Sequence, residues 1–140
     1  MTWYADLSPY EYSAGSVPAG AEALNVGWLE APHEFPRGTV PPEFVEALGV
    51  LCRDDRREVM RGWQNCTFEP GRDPFDPPPS IQVGDRTVQL GNGEVRVTTP
   101  DGRWLIAPTL VHHYVTAHFY RPPEEFIEAV TTRRAAPAGA

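Results

Sequence analysis

Hydrophobic positions along this chain fall into short, interrupted groups, and their spacing changes character halfway. Leu24–Leu29 (LNVGWL) is a brief apolar run of the length expected for a buried strand. After the loop APHEFPRGTV, residues Phe44, Val45, Leu48, Leu51 and Cys52 recur at the three- and four-residue intervals of one helix face. Pro41-Pro42-Glu43 opens that helix, because proline in the first turn forfeits no hydrogen bond and an acid suits the positive end of the helix dipole. The patch RDDRRE (53–58) is its polar exit. Val59–Phe68 fits a strand or a continuation of the helix, and the proline-rich stretch at 70–79 (PGRDPFDPPP) fits neither.

The second half reads differently. Ile81–Val83, Thr87–Leu90, Glu94–Thr98 and Arg103–Ile106 carry β-type patterns, separated by the turn signals Gly84-Asp85, Gly91-Asn92-Gly93 and Asp101-Gly102. They predict an antiparallel meander. Thr109–Phe119 follows as a helix, Arg121-Pro122-Pro123 breaks the chain, and Glu124–Val130 begins a last helix much as the first one began. The likeness of PPEFVEAL to PPEEFIEAV is read as convergent capping rather than an internal repeat. The segment before about Ala23 is irregular and carries Trp3, Tyr4, Tyr10 and Tyr12, which are expected to pin it to the body. Together these elements predict one α+β domain over 1–132, an antiparallel sheet of four or five strands packed by two or three helices, and a frayed tail over 133–140.

Composition narrows the chemistry. The 140 residues suit a single domain, and 16 prolines and 12 glycines punctuate it throughout. Formal net charge is −7, from 12 cationic and 19 acidic residues, and every cation is arginine. The absence of lysine excludes Schiff-base and P-loop lysine chemistry. An acidic chain without a basic block is a poor nucleic-acid binder, since phosphate contacts supply most non-specific affinity. The N-terminus MTWYADLSPYEY has neither the cationic nor the apolar region of a secretory signal, and no apolar run approaches the roughly 20 residues of a membrane span. Two cysteines, Cys52 and Cys66, are too few for a disulfide scaffold. The expectation is a cytoplasmic monomer or homodimer that contacts neither membrane nor nucleic acid.

Three of the four histidines lie on the helix expected at 109–119. At about 100° per residue, Leu110, Val111, Tyr114 and Val115 form one apolar arc with His118 in its middle, whereas His112 and His113 point away from it. A single metal therefore cannot take all three. His118 is read as a buried, hydrogen-bonded histidine or as a ligand or proton carrier in a pocket against the sheet. His112 and His113 are read as a solvated flank. The segment Arg61-Gly62-Trp63-Gln64-Asn65-Cys66-Thr67-Phe68-Glu69 gathers a cation, an amide, a thiol and a carboxylate, and its cysteine is either a small buried hydrophobe or a nucleophile paired with His118 or His113. His33 and Glu34 sit in a proline-flanked loop, where a surface role and a site role both fit. No G-x-S-x-G elbow is present, Gly91-Asn92-Gly93 lacks the helix that a phosphate loop requires, and no Cys-x-x-Cys is present.

Read together, YADLSPYEY, NVGWL, HEFP, VPPEFVEAL, RGWQNC, LGNGEVRV and APTLVHHYVTAHFYRPPEEFIEAV resemble a small bacterial family, common in actinobacteria, that is treated as a domain of unknown function. The resemblance runs from about Trp3 to Val130 and implies no particular activity. It implies a pattern R-G-x-H-x-C-x-x-C where this chain has Arg61 to Glu69. A His-x-Cys-x-x-Cys motif with a histidine from the late helix suits zinc or iron. Here Gln64 and Glu69 stand at the outer ligand positions, so the site is either lost or retuned toward Cys, Glu and His.

Three functional expectations follow. The first is an acidic binding protein without catalysis, whose partner is another protein. The second is a small enzyme or ligand-binding protein of specialised metabolism, with a pocket around His118, Tyr114, Cys66 and Gln64, to which Arg61, Trp63 and His113 contribute. The third is a zinc- or iron-binding protein using His33, Cys66, Glu69 and His118. A convergent polar pocket favours the second and a flat apolar patch the first.

Overall fold

In the computed structural model the described residues are 3–11, 17–31, 33–57, 66–68 and 79–137. Along the chain they form β1 (Ala23–Asn25), α1 (Pro42–Asp54), β2 (Ser80–Val83), β3 (Arg86–Gln89), β4 (Glu94–Thr98), β5 (Trp104–Pro108), α2 (Val111–His118) and α3 (Glu124–Thr131). This is an α+β domain. Among the described residues no helix is long and apolar enough to cross a membrane.

The four late strands do not form one meander. β2 and β3 make a separate two-stranded hairpin, while β4 pairs antiparallel with β5, and β5 pairs on its other side with β1 in parallel. Two hydrogen-bond patterns account for the division. Beside β4, Arg57 exchanges backbone bonds with Glu94 in both directions, at 2.8 and 2.7 Å, so the stretch after α1 takes the edge that β3 would have used. Beside β3, Arg56 Nη1 donates to the Gln89 carbonyl at 3.1 Å. The remaining length of the β4 edge is covered by residues expected to fray: Thr98 N–H donates to Arg134 O, and Ala136 N–H to Arg96 O.

Strand alternation divides the core in two. Val95 and Val97 of β4 and Leu105 and Ala107 of β5 face one side, where α1 and α3 close over them and Phe44 meets Phe126 edge to face at 6.1 Å. Ile106 faces the other side, where Tyr10 and Trp28 pack on it. Both faces are covered, which is why all five residues of β5 are buried. Of the aromatics expected to pin the N-terminal segment, Tyr10 is buried with its hydroxyl donating to Glu94 Oε2 at 2.8 Å and Tyr4 meets Trp28 edge to face at 5.8 Å, whereas Trp3 is exposed and Tyr12 lies outside the described residues. Gly27 permits the approach of α2. Its φ is +73°, and a Cβ there would stand 2.7 Å from Val111 Cγ2.

Candidate metal centre

α2 ends where Phe119 turns into the left-handed region at φ 59°, with the N–H groups of Phe119 and Tyr120 both reaching the Tyr114 carbonyl. This closure leaves His118 in the last turn. Helix side chains lean toward the N-terminus, so the His118 ring tilts back over the turn that carries His113, and the two rings meet edge to face at 5.1 Å. The helical-wheel reading that set His113 apart from His118 omits that lean, and His113 is half-buried rather than on a fully solvated flank.

Cys66 arrives from outside the helix. Ala31 N–H donates to Thr67 Oγ1 at 2.8 Å, and the Phe68 ring wedges among Phe35, Tyr114 and His118 at 5.1, 5.9 and 5.7 Å. These contacts seat the intervening backbone, so the Cys66 thiol stands 3.3 Å from His118 Nε2. Phe68 N–H donates to the same sulfur at 3.4 Å, which orients it. One ligand atom each from Cys66, His113 and His118 can be chosen so that all lie within 4.8 Å of one another.

The other candidate residues separate from this cluster. Tyr114 is fully buried and its hydroxyl donates to the Leu29 carbonyl at 3.2 Å; burial first, then the neighbouring Cys66 and Glu30, raises its pKa far above the ordinary phenol value. It supports the floor of the cluster. His33 is exposed and stacks on Trp3 at 4.1 Å, apart from Cys66 and His118. Arg61, Trp63, Gln64 and Glu69 lie outside the described residues. His112, expected on a solvated flank, is buried on the opposite side of α2, facing α1 and the β2–β3 hairpin. Cys52, the second thiol, is fully buried, and desolvation pushes its pKa up to about 12.

A single α+β domain carrying a thiol and two imidazoles in one cluster is the class that fold and geometry define. The chain belongs to the family described as Domain of unknown function (DUF7919), whose family model matches residues 2–131. No curated protein and no solved structure matches the chain.

Proposed function

We propose that this domain binds a divalent transition metal, zinc by preference, through Cys66, His113 and His118. The observation that carries the reading is the convergence of one thiol and two imidazoles, contributed by a loop and a helix far apart in sequence, within 4.8 Å of one another. Tetrahedral zinc with one sulfur and two nitrogen ligands spaces those atoms about 3.3–3.6 Å apart. The Cys66–His118 separation of 3.3 Å already fits that spacing, and about 1 Å of side-chain adjustment brings in the third ligand. A thiolate with two imidazoles suits zinc better than the hard cations magnesium or calcium. The carbonyl end of α2, carrying partial negative charge, adds a modest attraction for a cation.

Cobalt(II) substitution tests this reading. The apo-protein should take up one equivalent of cobalt with the intense visible bands of a tetrahedral thiolate site, and His113→Gln, His118→Gln and Cys66→Ser should each lose them. His112→Gln, on the other side of the helix, should keep them. Bands that persist unchanged in all three ligand variants would overturn the assignment.

A second reading rests on the 3.3 Å thiol–imidazole distance itself, which also suits a cysteine nucleophile activated by His118. His113→Gln separates the two, since a metal centre loses a ligand there and a Cys–His pair keeps both members. The binding-protein expectation draws its support from a different part of the molecule, the groove between α1 and β2.

A further inference from the structure

Between α1 and β2 runs a cavity of about 520 Å³, on the side of the molecule that His112 faces. Ile81, Gln82 and Val83 all line it. Successive strand side chains point to opposite faces, so a groove touched by all three runs along the strand's edge. Val83 and Arg86 flank the two-residue turn as a hydrogen-bonded pair, which makes Gln82 and Thr87 a non-bonded pair and turns the Gln82 N–H and C=O outward. Among the described residues nothing pairs with that edge of β2.

The polar groups of the groove are mostly donors. His112 is 8% exposed, and its Nδ1 is buried without a hydrogen-bond partner among the described residues. Its Nε2 lies on the groove side, 3.7 Å from where a Cβ on Gly49 would stand. A neutral imidazole places its proton where a partner can reach it, so Nε2–H is the donor. Arg53 gives Nε and Nη2 to Asp54, and its Nη1 reaches to 3.4 Å from a Cβ position on Gly84 with no acceptor among the described residues. Gln82 Oε1 accepts from Thr87, which leaves the amide nitrogen as a donor. The one carboxylate among the described lining residues is Glu46, two helical turns before Arg53 and about 10 Å from it along the axis. Val45, Val50, Ile81 and Val83 supply the apolar wall.

We infer that this groove binds the C-terminal end of an extended polypeptide by strand addition to β2. The peptide runs parallel to β2, and one carbonyl and one N–H flanking its central residue pair with the Gln82 N–H and C=O. Its terminal carboxylate meets Arg53 Nη1 beside Gly84, and its apolar side chains rest on the four wall residues. Two observations favour a peptide over a free small anion. A peptide backbone matches the outward N–H and C=O of Gln82 together, whereas a carboxylate can only accept, and Asp54 and Asp85 stand close to Arg53, which disfavours a free anion there.

The test is amide NMR with an acetylated Val-Thr-Val-Val peptide bearing a free carboxyl terminus. Saturable shifts are expected at Ile81–Gly84 and at the His112 imidazole. The same peptide with an amidated terminus, and separately the Arg53→Gln variant, should bind at least tenfold more weakly. Gln82→Pro removes an N–H that the hairpin does not use, so it should leave the spectrum outside β2 unchanged and abolish binding. The inference is overturned if no saturable shift occurs at millimolar peptide, or if the shifts survive both Arg53→Gln and amidation. It is equally overturned if free valerate reproduces the shifts and keeps them in Gln82→Pro, which would mark a small-molecule site.

Discussion

Replacing Arg96 with methionine should destabilise the fold by about 3–5 kcal/mol, the loss expected when one partner of a buried ion pair is removed. The side chains of Arg96 and Glu94 are 6% and 4% exposed, side by side on the β4 face turned away from the helices. Arg96 donates to Glu94 Oε1 from Nε at 3.2 Å and from Nη2 at 2.9 Å, and Nη2 also reaches the Tyr10 hydroxyl at 3.2 Å. That hydroxyl donates to Glu94 Oε2 at 2.8 Å, so the network ties the N-terminal segment to the sheet. Tyr10→Phe keeps the ion pair and removes only charge-assisted bonds, and should cost about 1.5–3 kcal/mol. The double change Glu94→Leu with Arg96→Met removes both members of this pair and should recover part of the single-variant loss, because neither buried charge is left facing the gap of the other. Urea unfolding followed by tryptophan fluorescence measures all three. The reasoning is refuted if Arg96→Met and Tyr10→Phe each fall within about 0.5 kcal/mol of the parent, the range of ordinary surface changes.

Other consequences are equally direct. Burial, with a smaller contribution from His113, lowers the pKa of His112 below its ordinary value, so the unfolded chain binds the proton more readily. Stability from this group is therefore present above pH of about 6.5 and lost as pH falls below it, and His112→Gln should flatten that limb of the urea-midpoint profile; an unchanged limb would contradict the assignment. Phe119 is 66% exposed and left-handed at φ 59°, so Phe119→Gly should raise stability by about 1 kcal/mol in thermal unfolding, and a loss would show that the ring makes a contact worth more than the strain. With its thiol pKa pushed up to about 12, Cys52 should resist alkylation at neutral pH while Cys66 reacts first, as peptide mapping after a timed iodoacetamide pulse will read; faster labelling of Cys52 would contradict this.

The parts of the fold that local pattern dictates were legible from the residues. α1 and α3 follow from proline starts and three- and four-residue apolar spacing, and β4 spans the Glu94–Thr98 interval that its alternation marks. The pairing of strands was not legible. The capture of the β4 edge by Arg57 and Arg134–Ala136, and the parallel addition of β1, depend on segments distant in sequence whose own patterns carry no pairing signal. The candidate centre divides in the same way. A Cys66 pairing with His118 or His113 could be entertained from residue chemistry alone, but its 3.3 Å distance to His118 depends on the Ala31–Thr67 bond and the wedge of Phe68. The His113–His118 approach needed the lean of helix side chains, which angular arithmetic leaves out. His112 was misplaced for a related reason: a helix packed against both α1 and a hairpin buries more than one arc.

Native mass spectrometry of the purified chain titrated with zinc reads directly whether Cys66 holds a metal. One zinc per wild-type chain is expected, and no bound zinc for Cys66→Ser under the same conditions, with His33→Ala binding as the wild type does. Wild-type protein that takes up no more zinc than Cys66→Ser would contradict it.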